Sequence, residues 1–213
     1  MQRTVKSYLP APTPLMVPLL GRLNVFFRRI HKHTPMSTSY PDFTLTYIDG
    51  TKTTLAAYRG KVLLIVNVAS KCGLTPQYTG LDYLYRRMRH RGFDLLGFPT
   101  NDFNEQEPGS NSEIQAFCTL NYDVHFPLFS KISVLGADQD PLYAYLTTSI
   151  PAAIGDGPLR ERLRSHGVTT STGADVLWNF EKFVLDRDGK VVARFAPDVT
   201  PDDPRIIETI ESQ

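Results

Sequence analysis

Cysteine is scarce in this chain of 213 residues, which contains only Cys72 and Cys118. Two cysteines are too few for the disulfide framework of a small secreted protein, and neither stands in a Cys/His spacing typical of structural zinc. The sequence therefore excludes both kinds of scaffold. Each thiol either packs in a core or carries chemistry, and two free thiols fit a reducing compartment.

The sequence also lacks a strong charge bias and a long apolar run. Its formal net charge is +1, so no global attraction to nucleic acid is expected. No apolar run approaches the ~18 residues that a membrane helix needs. The length and an apolar content of 41% are typical of one soluble globular domain with a sizeable core. We therefore expect no nucleic-acid partner and no transmembrane segment.

Acidic residues are absent from positions 1–41, which nevertheless contain six arginines and lysines. This composition is compatible with a mitochondrial transit peptide, whereas the cleavage site of a secretory signal is missing. An equally good interpretation is a mis-set start, because "MSTSYPDFTL" begins a complete domain at Met36. We expect a poorly ordered extension at residues 1–36 and a folded domain at residues 37–213. Cytoplasmic localisation is the first expectation and mitochondrial localisation the alternative.

The sequence of the first half of the folded domain predicts a hairpin followed by a strand–helix–strand unit. Residues 43–55 alternate around Asp49-Gly50, which is typical of a hairpin. The apolar run from Val62 to Val66 predicts a buried parallel strand, and "FDLLGFP" a second one. Between them, Thr75-Pro76 predicts the start of a helix, with Thr75 as N-cap, and Gly92 predicts its end.

The second half predicts more helices and a second hairpin. One helix is expected near Ser112 with Gln115 at capping-box spacing, and another around "DPLYAYLTTSI". Residues 151–176 are polar and turn-rich, which indicates a surface insertion. A hairpin closed by Asp188-Gly189 and a terminal helix follow. This order predicts an α/β fold, a mixed β-sheet with helices on both faces.

Cys72 stands where the first parallel strand ends and a helix begins, in "NVASKCGLT". Unpaired amides and the macrodipole at a helix start favour an anion, so we expect the Cys72 pKa to fall below ~8.5, with help from Lys71. Thr75 stands where a C-x-x-C pair would have its second thiol, so no local disulfide can form. An activated thiol without a local partner suits attack on an O–O bond. The alternative is a buried packing cysteine.

Three segments resemble the signatures of one family. "NVASKCGLT", "LGFPTNDFNEQEPGS" and "WNFEKFVLD" are similar to the three motifs of glutathione peroxidases, and the resemblance runs from about Tyr40 to the C-terminus. It implies a thioredoxin-like fold with an N-terminal β-hairpin, and reduction of hydroperoxides by a cysteine rather than a selenocysteine. It also implies that Cys72 is the catalytic thiol and that Trp178 and Asn179 hydrogen-bond its thiolate. No metal, flavin or nucleotide cofactor is implied.

Asp102 departs from the sequence pattern of the glutathione peroxidase family that the chain resembles. In "FPTNDF" it stands at the position assigned to a family glutamine that donates to the thiolate. An ionised aspartate accepts hydrogen bonds and would raise the pKa of a neighbouring cysteine. Three alternatives follow: Asp102 points away, it is protonated, or the donor comes from Asn101, Asn104 or Gln106. If Asp102 faces the thiolate, the peroxidatic step should be slow.

Cys118 is the resolving cysteine that the resemblance implies, because "SEIQAFCTLNYDVHFPLF" resembles the segment that carries this cysteine in two-cysteine members. Thr100 stands where many relatives carry another cysteine, which leaves Cys118 as the only possible internal partner. The Cys72 sulfenic acid would then condense with Cys118, and thioredoxin, or glutathione as the alternative, would restore the thiols. Cys118 lies on a partly apolar helix face, so its helix would have to open. The rival functions are a peroxide sensor that oxidises a partner protein and a non-catalytic binding protein. The oligomeric state stays open.

Overall fold

The computed structural model describes residues 40–170 and 173–213. The expectations for the extension at residues 1–36 therefore lie outside the described residues. The strands and α-helices of the described part follow the chain in this order: β1 (Thr44–Thr46), β2 (Lys52–Thr54), β3 (Val62–Val68), α1 (Gln77–Met88), β4 (Phe93–Pro99), α2 (Asn111–Tyr122), α3 (Pro141–Ser149), α4 (Pro158–Ser165), β5 (Lys182–Leu185), β6 (Val191–Phe195) and α5 (Pro204–Glu211).

The central sheet is mixed, as the sequence predicted. Its strand order is β4-β3-β5-β6, with β3 parallel to β4 and antiparallel to β5, and β5 antiparallel to β6. Every residue of β3, β4 and β5 is buried, which explains why these strands are mostly apolar. Helix α1 connects the two parallel strands. The carboxyl end of β3 therefore lies at the edge of the sheet where α/β proteins usually bind their ligands.

The N-terminal hairpin is confirmed as a small separate sheet of β1 and β2, which pair antiparallel. Its turn contains Gly50 at φ 91°, a left-handed conformation that glycine adopts without strain. The Asp49 carboxylate accepts a hydrogen bond of 2.8 Å from the Thr51 amide and closes the turn.

Helix α1 begins one residue later than predicted from Thr75 as N-cap. Pro76 is the N-cap residue and has no side-chain capping bond. The Thr75 hydroxyl instead turns back, accepting from the Cys72 amide at 3.0 Å and donating to the Ala69 carbonyl at 2.8 Å. Because that hydroxyl is already used, it stabilises the cysteine turn rather than the helix. Gly92, at φ 76°, ends the helical segment as predicted.

The capping box of helix α2 lies two residues earlier in the chain than predicted. Ser110, not Ser112, is the N-cap, and Glu113, not Gln115, is its partner. The Glu113 carboxylate accepts from the Ser110 amide at 2.7 Å, and the Ser110 hydroxyl accepts from the Glu113 amide at 3.3 Å. Aspartate and glutamate bind N-terminal amides more strongly than glutamine does because they are charged. That preference decides the register of this helix.

The turn-rich segment 151–176 contains a helix that the sequence did not reveal. Pro158 is the first residue of α4, a favoured position because its fixed φ suits a helix start. Leu159 is buried and ties the helix to the domain, although most of its other residues are polar. Within the described ranges, none of the helices has the length and apolar character needed to cross a membrane.

Candidate active site

Cys72 lies in a series of tight turns between the end of β3 and the start of α1. Its carbonyl accepts from the Thr75 amide at 3.0 Å, and its amide donates to the Thr75 hydroxyl at 3.0 Å. These reciprocal bonds fix the backbone on both sides of the thiol. Only 8% of Cys72 is exposed, so the thiol sits just below the surface at the carboxyl edge of the parallel strands.

Three N–H donors converge on the Cys72 sulfur. The Leu74 amide donates to Sγ at 3.3 Å, and the Trp178 and Asn179 side chains add hydrogen bonds. These bonds lower the Cys72 pKa because they stabilise the thiolate. Burial, the largest contribution, acts in the opposite direction, and the pKa is raised overall. The expected fall below ~8.5 is therefore wrong for the resting structure, since desolvation outweighs the donors. The exposed Lys71 side chain does not reverse this balance.

The turn that carries Trp178 and Asn179 is held by Asn67, the first residue of "NVASKCGLT". The Asn67 side-chain amide donates to the Trp178 carbonyl at 3.0 Å, and its side-chain oxygen accepts from the Glu181 amide at 3.1 Å. The Asn67 carbonyl accepts from the Phe180 amide at 2.6 Å. Asn67 is fully buried at the end of β3, so it connects the thiol's own strand to the turn that supplies two of its donors.

Gln106, which the sequence analysis named only as an alternative donor, is a residue of the site. Its side-chain oxygen accepts from the Asn179 amide nitrogen at 3.0 Å, and its carbonyl accepts from the Lys71 amide at 3.0 Å. Gln106 thus orients the Asn179 amide and holds the residue next to Cys72. Its position within "FNEQEPGS" was the available signal, and it was one of the alternatives to Asp102.

Asp102 points away from the thiol, which was the first of the three alternatives. Its carboxylate accepts from the Ser133 hydroxyl at 3.0 Å and from the Val134 and Leu135 amides at 2.5 and 3.2 Å. These donors belong to the segment after α2, and they satisfy the charge locally. This geometry does not place Asp102 at the thiol, and the slow peroxidatic step, which required Asp102 to face the thiolate, loses its basis.

Glu107 lies behind the cysteine turn with 1% of its surface exposed. Its carboxylate accepts from the amide and hydroxyl of Ser70 at 2.8 and 2.9 Å, and burial raises its pKa. It lines a cleft of about 400 Å³ together with Ser70, Lys71, Pro108, Gly109, Glu113, Ile114 and Phe117. The cleft therefore opens between the Cys72 turn and α2.

Cys118 lies on the inner face of α2, fully buried, and both cysteines are free thiols. Burial is the main reason why the Cys118 pKa is raised to about 11; a hydrogen bond with the Tyr78 hydroxyl lowers it and the Glu107 charge adds to the rise. Cys118 is thus protonated at neutral pH and closed to solvent. The expectation that it starts buried agrees with this structure, while its role as resolving cysteine stays a prediction.

The site residues contain no evident metal centre: among residues 40–170 and 173–213, no three or more histidine, cysteine, aspartate or glutamate side chains group together as ligands. The residues that meet at Cys72 are N–H donors. Such groups can stabilise a sulfur anion and the charge that develops when an O–O bond breaks.

Comparisons with known proteins agree with this geometry. The glutathione peroxidase family model matches residues 40–147. The thioredoxin/glutathione peroxidase BtuE of Escherichia coli (strain K12) is 51% identical over 166 residues, which cover 77% of this chain and 91% of that protein.

Solved structures agree as well. The crystal structure of Trgpx in its apo form is 35% identical with a TM-score of 0.59, and the match covers 82% of this chain and 96% of that one. A thioredoxin-family thiol:disulfide interchange protein from Chlorobium tepidum TLS has a TM-score of 0.52 at 16% identity, with 81% and 95% covered, which confirms the thioredoxin-like fold. The chain therefore belongs to the glutathione peroxidase family, whose members are thiol peroxidases that reduce hydroperoxides.

Proposed function

We propose that Cys72 reduces hydrogen peroxide and organic hydroperoxides, that Cys118 resolves the oxidised thiol, and that thioredoxin completes the cycle. The Cys72 thiolate attacks the terminal oxygen of ROOH and the O–O bond breaks. The sulfur, oxidised by two electrons, becomes a sulfenic acid, and the RO⁻ leaving group takes a proton to give ROH. The observation that carries the proposal is the convergence of the Leu74, Trp178 and Asn179 donors on Cys72 Sγ.

These donors serve the attack in two ways. They favour the thiolate against the burial that disfavours it, and they are fixed before the peroxide arrives. Asn67 and Gln106 fix them from two directions, so little reorganisation is needed during the reaction. The cleft is lined by Ser70 and Lys71, which directly precede Cys72, and by Ile114 and Phe117, whose apolar side chains suit the organic part of a hydroperoxide.

Resolution requires the second half of the cycle. The Cys118 thiol attacks the Cys72 sulfenic acid, the S–S bond forms, and the hydroxyl of the sulfenic acid leaves with the Cys118 proton as water. Opening of α2 exposes the thiol and brings its pKa from about 11 toward an ordinary ~8.5, which raises the thiolate fraction roughly 300-fold. The opening of α2 is therefore the step that makes Cys118 reactive.

Thioredoxin is the proposed reductant because a disulfide between Cys72 and Cys118 is reduced in two exchange steps, which one protein dithiol can carry out in succession. The name of the E. coli relative mentions both thioredoxin and glutathione, which supports either donor for this chain. Direct attack of glutathione on the sulfenic acid is the alternative route.

Coupled turnover tests the proposal. Purified protein is given thioredoxin, thioredoxin reductase and NADPH, and the oxidation of NADPH is followed with hydrogen peroxide or cumene hydroperoxide. We expect turnover with both peroxides and a smaller rate when glutathione and its reductase replace the thioredoxin system. A Cys72→Ser variant is the control for background oxidation. Equal rates for the wild type and this variant would contradict a peroxidase at Cys72.

A peroxide sensor is the second candidate, and the complete burial of Cys118 favours it. If α2 opens slowly, the Cys72 sulfenic acid lasts long enough to react with a thiol of another protein. Slow turnover with every reductant, together with mixed disulfides trapped on Cys72 in a Cys118→Ser variant, would favour the sensor over the peroxidase cycle.

A further inference from the structure

Lys182 is a buried cation next to the turn that supplies the Cys72 donors. It begins β5, none of its surface is exposed, and its ammonium donates to the Phe180 carbonyl at 2.7 Å and the Pro197 carbonyl at 3.0 Å. The mechanism described so far does not use it.

An ammonium group is costly to bury without a partner carboxylate in contact. Burial lowers the Lys182 pKa to about 7, although the nearby Glu181 and Asp198 charges oppose the shift. Glu181 itself is bonded to Arg194, so it is not a dedicated partner for Lys182. A methionine would fill a similar volume without this cost. What the lysine adds at this position is its two bonds to backbone carbonyls.

One of these carbonyls belongs to a strained residue of the donor turn. Phe180 has φ 71°, a left-handed conformation that is uncommon for a bulky side chain. It directly follows Trp178 and Asn179, and its amide is already held by the Asn67 carbonyl at 2.6 Å. Lys182 holds the other polar group of the same residue. The strained conformation that aims the two donors is therefore bonded on both sides.

The other carbonyl leads to the cysteine side of the site. Pro197 O also accepts from the Gln77 side-chain amide at 2.8 Å, and Gln77 is the first residue of α1. The Leu74 carbonyl, in the turn after Cys72, accepts from the Gln77 amide at 2.9 Å. The Lys182 ammonium is thus bonded directly to the turn that carries Trp178 and Asn179. Through Pro197 and Gln77 it is also linked to the segment that follows the thiol.

We propose that Lys182 is a positioning residue, which holds Phe180 and Pro197 so that the Trp178 and Asn179 side chains reach the Cys72 sulfur. The inference rests on the proposed role of Cys72 as the peroxidatic thiol. Without the ammonium, the Phe180 carbonyl loses its bond, the turn relaxes, and the donors reach the thiolate less often. The direct consequence is a higher Cys72 pKa.

Two variants and a matched control test this proposal in a Cys118→Ser background, where only Cys72 reacts. Lys182→Met removes the donor at similar volume, and Lys182→Gln keeps a shorter donor. Lys61→Met is the control, because Lys61 lies just before the other end of β3, pairs with Asp94 at 2.9 Å and is far less buried. The Cys72 pKa is measured from the pH dependence of alkylation by iodoacetamide, and the second-order rate with hydrogen peroxide by stopped flow.

For Lys182→Met we expect a Cys72 pKa about one unit higher and a peroxide rate at pH 7 that falls roughly three- to tenfold, because fewer but more nucleophilic thiolates remain. Lys182→Gln should lie between Lys182→Met and the parent, and Lys61→Met should match the parent. A Cys72 pKa and rate within twofold of the parent in a folded Lys182→Met protein would overturn the proposal.

Loss of cooperative unfolding in both Lys182 variants would also overturn the proposal, by making Lys182 a residue of the fold alone. The alkylation profile does not depend on peroxidase activity. If the parent protein does not react with peroxide, the proposed function fails, while the effect of Lys182 on the Cys72 pKa is still decided.

Discussion

The two cysteines occupy opposite kinds of environment within one domain. Cys72 lies in a turn, has 8% of its surface exposed and has three N–H donors at its sulfur. Cys118 lies on a helix face, has none of its surface exposed and has a hydrogen bond with the Tyr78 hydroxyl. Burial raises both pKa values, but only at Cys72 do hydrogen bonds from three donors work against it. The difference explains why Cys72 rather than Cys118 is the proposed nucleophile. Fixed donors oppose the effect of burial at Cys72, whereas burial on the inner face of α2 keeps Cys118 protonated.

Removal of the Cys72 thiol should have the largest effect. We expect Cys72→Ser to lose at least ~10³-fold in peroxide reduction, because the nucleophile is absent. Cys118→Ser is the matched control for the loss of one thiol, and its first reaction with peroxide should keep the wild-type rate. Substantial peroxide reduction by Cys72→Ser would instead indicate that Cys118 is the thiol that reacts with peroxide.

The pH dependence should be the next largest effect. Since the Cys72 pKa is raised, the thiolate is a minor species at neutral pH and grows as pH rises toward that pKa. The second-order rate with hydrogen peroxide should therefore increase about 100-fold between pH 6 and pH 8. Stopped-flow measurements on the Cys118→Ser variant isolate this step. A rate that is already constant above pH 6 would mean that the donors outweigh burial.

Cys118 should matter for turnover rather than for the first reaction. In Cys118→Ser the Cys72 sulfenic acid cannot form the internal disulfide, so thioredoxin-coupled turnover should fall at least about tenfold. The burst of peroxide consumption should be unchanged. Unchanged steady-state turnover would show that the reductant attacks Cys72 directly.

Loss of a single donor should have a smaller effect on Cys72. Trp178→Phe keeps an aromatic ring next to Phe103, whose ring centroid is 5.3 Å away, but removes the indole N–H. We expect a Cys72 pKa about one unit higher and a rate roughly three- to tenfold lower at pH 7. Phe103→Leu, which alters the packing and leaves the donor, is the control. Equal Cys72 pKa values in wild type and Trp178→Phe would show that the indole N–H does not stabilise the thiolate.

Asp102 should have the smallest effect on chemistry. Its carboxylate bonds to the segment at residues 133–135, so Asp102→Gln should change the peroxide rate by less than about twofold. The same variant should unfold at a lower temperature, because two amides lose a charged acceptor. A tenfold change in the peroxide rate would show that Asp102 acts on the Cys72 thiol.

Sequence reasoning predicted the mixed sheet, the hairpin and the place of Cys72, because short apolar runs and turn residues act locally. It placed the α2 capping box at Ser112 and Gln115 instead of Ser110 and Glu113, because several polar residues compete there. It assigned Asp102 to the site because the motif sets position in the chain but not side-chain direction. Gln106 lies near Asn179 only through the course of its loop, and the backbone bonds of Lys182 have no pattern in the sequence.

The most direct test of the two-cysteine cycle is the intact mass of the protein after one equivalent of hydrogen peroxide, with alkylation of the remaining thiols. We expect wild type to lose about 2 Da and both alkylation sites, as an internal disulfide between Cys72 and Cys118 requires. Cys118→Ser should instead gain about 16 Da as a sulfenic acid on Cys72. A wild-type protein that gains the oxygen while Cys118 remains free to be alkylated would contradict the cycle.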